Sequence, residues 1–442
     1  MSGAATDGLP PGRRALAAVA IAAAIAVTVL DAAMINIALP EAARALRLRP
    51  AESVWVVNAY QIAVVGLLIP MAALGEIAGF RRVWAGGLLV FSACAALCAL
   101  APAFEWLLLA RVAQGAGGAA VMALTAGLVR HTYPQAMLGR AIGTNAMTVA
   151  ACSALAPSLG AAVLTVAPWP AVFVAHLPVG LAALLLGWRV LPRVPRQARA
   201  FDGAAAALNV LAFGALFLGL DLLLHAPLPA LPCLALAALA LWALVRRELG
   251  RPVPMLPLDL LRLREVRLAV CASACMFGAH MACVIALPFH LHAAGMPVWQ
   301  VGLVMTPYPI VLGVLAPLAG RWADRGGASA WPCALGGVLL ALAMAGLALW
   351  RPEGPLAAGA LLALAGLGFG CFQSPNNRTM LASAPRARAG GAGGMQATAR
   401  VLGQSLGATL AAAGFTLAGP WLAFAAAAGL ALGGALFSAL RR

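Results

Sequence analysis

Fourteen stretches of mostly apolar residues follow one another along this chain, at 15–39, 53–73, 83–102, 106–128, 141–166, 170–191, 203–224, 228–245, 267–292, 299–319, 330–350, 355–376, 392–417 and 421–440. About 20 such residues in a helix cross the hydrocarbon of a bilayer. Of the 442 residues, 63% are hydrophobic and 10% charged, against roughly 45–50% and about 25% in a soluble domain. A water-soluble fold could not hide that much apolar surface. Lipid accepts it, provided each segment satisfies its own backbone polar groups, as a helix does. A transmembrane barrel would show weak alternating strands instead of long apolar runs. The expectation is an all-α integral membrane protein with fourteen transmembrane helices. Arg13 and Arg14 precede the first run in the manner of a signal peptide. That run is too long for a signal peptide's apolar core and contains Asp31, so it is expected to stay as the first helix.

The formal charge of +16 rests on 29 basic residues, all of them Arg. Nucleic-acid binding would gather them on one soluble face; here they lie in short connections between apolar runs. With the N-terminus in the cytoplasm, 23 Arg fall on the inside, four (Arg44, Arg47, Arg49 and Arg351) on the outside, and Arg111 and Arg400 within helices. This is the positive-inside bias, and it places both termini in the cytoplasm of a bacterial cell. The nine Cys lack metal-site spacing and read as small buried hydrophobes. No phosphate-binding GxxxxGK[ST] loop occurs, which argues against ATP as the energy source. No nucleophile–base pair or metal cluster points to an enzyme. The expected partners are the bilayer, a small-molecule substrate and protons, with no nucleic acid and no cofactor beyond the proton gradient, and the chain is expected to act as a monomer.

Two halves resemble each other. Leu74–Arg82, with Glu76, matches Gly320–Gly327, with Asp324, at an offset of 248, and Ala156–Ala161 matches Gly403–Ala408 at an offset of 247. Duplicated halves around a central path are a common transporter design. The predicted organisation is a cytoplasmic tail (1–14), a six-helix bundle (15–191), a linker (192–202), two inserted helices (203–245), a second linker (246–266) and a second six-helix bundle (267–442). Helices 1–6 and 9–14 then form the repeats.

Five motifs lie in order on these helices. Leu30-Asp31-Ala32-Ala33-Met34-Ile35-Asn36-Ile37-Ala38-Leu39-Pro40 is on the first, Arg111-Val112-Ala113-Gln114-Gly115-Ala116-Gly117-Gly118-Ala119 on the fourth, and Cys152-Ser153-Ala154-Leu155-Ala156-Pro157-Ser158-Leu159-Gly160-Ala161 on the fifth. The loop around Asp324 and the run Phe372-Gln373-Ser374-Pro375-Asn376-Asn377-Arg378 complete the set. Over nearly its whole length the chain resembles the major facilitator superfamily, and within it the fourteen-helix drug:proton antiporters of the EmrB/QacA type. The fifth-helix segment departs from that family's antiporter motif, with Cys or Ala in place of three Gly, and Glu76 replaces the Asp of the first-half loop motif. The resemblance implies proton-coupled efflux of lipophilic or cationic compounds by alternating access across the cytoplasmic membrane. A specific exporter of one endogenous metabolite and a non-transporting receptor or scaffold are the alternatives.

Asp31 is the central candidate, because an intramembrane acid is costly unless paired or hydrated. It lies ~12 Å from the outer end of helix 1, and Arg111 ~8 Å from the outer end of helix 4, at 1.5 Å per residue. A neighbouring cation and burial act on a carboxylate in opposite directions, a competition that suits a group that loads and releases a proton. A fixed structural ion pair is the alternative. Glu76, Arg81, Arg82, Arg321, Asp324 and Arg325 are expected in short inner loops that gate the path. Pro157 and Gly160 are expected to kink helix 5 and to allow close packing. Arg400 either meets an anionic group or snorkels to the inner face. Asn36, Asn58, Tyr60, Gln61, Gln114 and Tyr308 are polar groups in apolar helices and candidates for the cavity wall.

Overall fold

The computed structural model describes residues 8–441 apart from 49, 54, 252, 326–328, 353 and 418. Fourteen principal helices carry the chain. In the first half they are α1 (Pro11–Ala45), α2 (Trp55–Ala78), α3 (Phe80–Ala99), α4 (Phe104–Thr132), α5 (Leu138–Val166) and α6 (Leu177–Val190). Then come α7 (Gly203–His225) and α8 (Pro227–Glu248). The second half holds α9 (Arg264–Ala293), α10 (Pro307–Asp324), α11 (Ala330–Trp350), α12 (Pro355–Ser383), α13 (Ala389–Leu417) and α14 (Pro420–Ala439). The helix starts follow local chemistry: proline occupies the first turn of α1, α6, α8, α10, α12 and α14, where its missing N–H costs nothing. Between α2 and α3 a single residue, Gly79, reverses the chain at φ 103°, a conformation that a side chain resists.

Twelve of the described helices are long and apolar enough to cross a membrane, or thirteen if the two arms of α5 count as one span. Of the fourteen spans expected from the sequence, twelve or thirteen are supported by length and composition among the described residues. The exception is α13, which is 29 residues long but rich in Gly and polar residues. Its composition serves contact with neighbouring helices, not with lipid. The lipid-facing surface is carried by side chains such as Leu97, Leu109, Leu185, Leu239 and Leu349, all more than half exposed.

The second half packs around Met276, Leu287, Leu340, Met344, Phe369, Phe372 and Phe424, and this cluster includes Ala146 and Ala150 of α5. The first half packs around Ile21, Trp84, Leu88 and Leu124. Small residues bring the halves together. A methyl group on Gly393 of α13 would stand 2.7 Å from the carbonyl oxygen of Ala123 in α4, and one on Gly394 would stand 2.7 Å from Cβ of Ala72 in α2. Helices α7 and α8 sit to one side: Asn209 of α7 donates to the Gly66 carbonyl of α2 at 2.7 Å, and α8 packs on α7. Asp202 caps α7 by accepting from the Ala205 N–H and binds Arg247 at the end of α8. That guanidinium holds the Asp202 carboxyl well below the usual carboxylate range.

Candidate functional site

Three assemblies of polar groups make up the candidate site. The first is a sealed ion cluster. Asp31 and Arg111 are 2% and 0% exposed. Arg111 Nη1 donates to Asp31 Oδ2 and to Gln114 Oε1, both at 2.8 Å, and its Nε donates to the Val56 carbonyl at 2.9 Å. Gln114, one turn further along α4, donates from Nε2 to Asp31 Oδ1 at 2.9 Å. The guanidinium lies 4.4 Å over the Tyr60 ring and 5.7 Å from that of Phe173. Glycines make room for this: a Cβ on Gly118 would meet the Tyr60 hydroxyl at 2.7 Å. The two charges expected at similar depth are thus in direct contact.

His176, which precedes α6, completes the cluster and was missed at the sequence level. Its Nε2 is 3.7 Å from Asp31 Oδ1, and it is buried without a hydrogen-bond partner. The available signal was an imidazole inside the sixth apolar run, a placement that is functional by default.

The second assembly joins the halves at their arginine-rich end. Glu76 is not in a loop, as the sequence suggested, but in the last turn of α2 and 1% exposed. Its carboxylate accepts from Arg199 Nη2 at 2.9 Å, Arg388 Nη1 at 3.1 Å and the Gly391 N–H at 2.7 Å. Arg388 in turn binds Asp259 and the Pro254 carbonyl. In the mirror-image arrangement, Asp324 ends α10 and accepts from the Gly139 and Arg140 N–H groups of α5, each at 2.8 Å, and from Arg378 at 2.9 Å. Each acid of one half therefore caps the positive N-terminal end of a helix of the other. Arg81 binds the Trp188 carbonyl within its own half. Arg82, Arg321 and Arg325 are exposed. The arginines that meet Glu76 and Asp324 are Arg388, Arg199 and Arg378, not these four. Their partners lie more than 50 residues away, which no local pattern reveals.

The third assembly is a cavity of about 400 Å³ bounded by α1, α2, α4 and α5 of one half and α9, α12 and α13 of the other. Asn36, Tyr60 and Gln61 line it, as expected, together with Asn145, Gln373, Asn377, Gln396, Arg400 and Gln404. Gln114 belongs to the ion cluster instead. Tyr308 is buried in the second half, stacked on His280 with centroids 4.8 Å apart. Asn58 is half-buried outside the cavity. Among the described residues, no group of three or more His, Cys, Asp or Glu could hold a metal.

Helix α5 bends by 42° between Gln135–Ala156 and Ser158–Val166; the side chain of Pro157, between the arms, lies outside the described residues. A methyl on Gly160 would meet Met34 at 3.5 Å, an ordinary contact, so packing does not demand glycine there. Gly160→Ala is expected to leave expression and transport within about twofold of the parent, since a tolerated surface or contact change costs within about ±0.5 kcal/mol. Gly393→Leu is expected to reduce the yield of folded protein, read by size-exclusion profile, because Ala123 and Ala126 occupy that space.

An all-helical chain with paired halves, a sealed internal ion cluster and a central cavity is built as a membrane transporter. Residues 21–408 match the model of the Major Facilitator Superfamily, and the chain belongs to that family, one of transporters and not of enzymes. It is 43% identical to the uncharacterized transporter YebQ of Escherichia coli over 92% of this chain and 90% of that one. It is 29% identical to the riboflavin transporter RibZ of Clostridioides difficile, covering 86% and 83% of the two chains. With the multidrug efflux pump LfrA of Mycolicibacterium smegmatis the identity is 30%, covering 90% and 80%.

Proposed function

We propose that this protein is a proton-coupled antiporter that exports drug-sized lipophilic compounds through the bacterial cytoplasmic membrane by alternating access. The supporting observation is the Asp31–Arg111–Gln114–His176 cluster, shut away from lipid yet one side chain from the cavity. Tyr60 is that side chain: its ring lies under Arg111 and it also lines the cavity. A proton arriving from outside neutralises Asp31 and releases Arg111, and the guanidinium shifts its hold toward the Val56 carbonyl and the Tyr60 ring. The cavity wall moves with Tyr60. Substrate occupying the cavity opposes that move, so proton and substrate take turns. Glu76 and Asp324 hold the inner end closed while this happens outside.

In this reading α5 and α13 cross the membrane with the other twelve, giving fourteen spans and two cytoplasmic termini, organised as two six-helix halves around an inserted pair. The likeness to LfrA supports export of toxic compounds, and the likeness to RibZ supports a single nutrient-like solute, the second reading. The carboxamide-lined cavity favours neither a purely apolar nor a cationic cargo. The resemblance implied cationic compounds among the cargo, but the nearby acid Asp31 is spent on Arg111 and Gln114 and does not line the cavity.

The test is made in everted vesicles from a pump-deficient bacterium, acidified inside by respiration. A transported dye or antibiotic should release protons from the lumen, and a protonophore should stop its accumulation. Accumulation that persists after the gradient collapses would exclude proton coupling.

A further inference from the structure

We propose that the cavity is an organic-acid site, in which Arg400 binds a carboxylate and the surrounding carboxamides bind the polar edge of an aromatic or heteroaromatic body. The proposal names the substrate class of the transport reading above and rests on it.

Arg400 is the only charged residue that lines the cavity among the described residues. It lies eleven residues into α13 (Ala389–Leu417), about 17 Å from its start and about 26 Å from its end at 1.5 Å per residue. A helix of that length exceeds a hydrocarbon layer about 30 Å thick, so Arg400 falls inside the span on its inner side. There the side chain forms part of the cavity wall. Two buried acids of the first half are engaged elsewhere: Asp31 with Arg111 and Gln114, Glu76 with Arg199 and Arg388. A half-buried cation with no acid among the described residues of its cavity wall is a receptor for an anion that comes and goes. Arg suits a carboxylate through its planar fork of donors.

The wall fits the rest of such a molecule. The side-chain oxygens of Gln373, Asn377 and Gln396 are buried without a hydrogen-bond partner. Carboxamides turned either way present donors or acceptors, so they pair with the hydroxyl, carbonyl or ring N–H groups of a ligand. Tyr60 and Phe277 supply aromatic faces. A volume of about 400 Å³ falls in the range of sites for drug-sized ligands.

Three fluorescent probes of one skeleton separate charge from shape: 9-anthracenecarboxylate, its primary amide, and 9-(aminomethyl)anthracene, a cation at neutral pH. Equilibrium binding to the purified full-length protein in detergent should favour the carboxylate at least tenfold over the amide and more over the ammonium. Arg400→Gln should erase the preference while amide binding persists, which also reports a folded cavity, and Arg400→Lys should restore part of it. A carboxylate that fails to bind at millimolar concentration, or binds no better than the amide, overturns the assignment. So does a preference that survives Arg400→Gln. If that variant cannot be purified, the ranking on the parent protein decides. Binding needs no proton gradient, so the two proposals fail separately. If Asp31→Asn transports at the full rate, the coupling reading falls and the anion site stands. If the carboxylate preference is missing while Asp31→Asn blocks transport, the reverse holds.

Discussion

Asp31→Asn is expected to cut proton-driven transport at least a hundredfold. The substitution keeps the shape of the side chain and one oxygen acceptor. It removes the negative charge that faces Arg111 at 2.8 Å and the group that takes up the proton. Arg111 is fully buried, and stripping one member from a buried ion pair costs about 3–5 kcal/mol. A loss of transport could then reflect a loss of folded protein. The double variant Asp31→Asn/Arg111→Gln separates the two effects, since it removes both charges and leaves no stranded cation. It should return membrane yield and thermal stability toward the parent while transport stays absent. Transport recovered in the double variant would make the pair structural, a fixed clamp, and would end its role in coupling. Arg111→Lys is not a conservative control. An ammonium cannot hold Asp31, Gln114 and the Val56 carbonyl with one planar fork, nor lie flat on Tyr60.

Glu76→Ala is expected to open the arginine-rich end of the path. Glu76 alone accepts from Arg199, Arg388 and the Gly391 N–H, so it ties the second helix of the first half to the start of α13. Its loss leaves buried donors of both halves unsatisfied. At about 3 kcal/mol for a broken buried pair, an equilibrium between closed and open inner ends shifts by roughly a hundredfold, at about 1.4 kcal/mol per factor of ten. The readout is labelling of Val129→Cys by a membrane-impermeant maleimide in everted vesicles, against the parent with its native cysteines. Val129 lines the cavity and is 1% exposed. Labelling should be slow in the Val129→Cys protein and at least tenfold faster with Glu76→Ala added. Equal rates would mean that the small-residue contacts of Gly393 and Gly394 suffice to hold the seam. Glu76→Gln should lie between, since it keeps one acceptor oxygen. Asp324→Ala should act in the same direction but less strongly, because its partner Arg378 is partly exposed and already solvated.

The site was legible in unequal parts. Asp31 and Arg111 were readable because a charge inside an apolar run is conspicuous and helical rise gives its depth. His176 was equally conspicuous, but it lies at the start of the sixth run beside three prolines and helix-breaking turns, where depth is hard to assign. Glu76 and Asp324 were readable as a repeated pair, but not as helix-end residues reaching across the halves. The cavity wall was read in part. Tyr60 and Gln61 sit on a face of α2 that turns inward, whereas Gln114 and Tyr308, of similar chemistry, are used within their own half.

The amino-acid sequence by itself determined the membrane setting, the helical form, the charge asymmetry of the ends and the internal repeat. Each follows from demands made on one segment at a time: lipid requires an apolar surface and internally satisfied backbone groups, and an apolar helix meets both alone. The tertiary structure decided which charges meet and which stay free. Arg388 reaches Glu76 across 312 residues, Arg111 reaches Asp31 across 80, and Arg400 faces a cavity with no acid among its described lining residues. Such pairings depend on how separate helices are packed, which segment-by-segment chemistry does not specify. The same packing explains α13, whose glycines and polar residues weaken its apolar signal because it faces other helices and the cavity more than lipid.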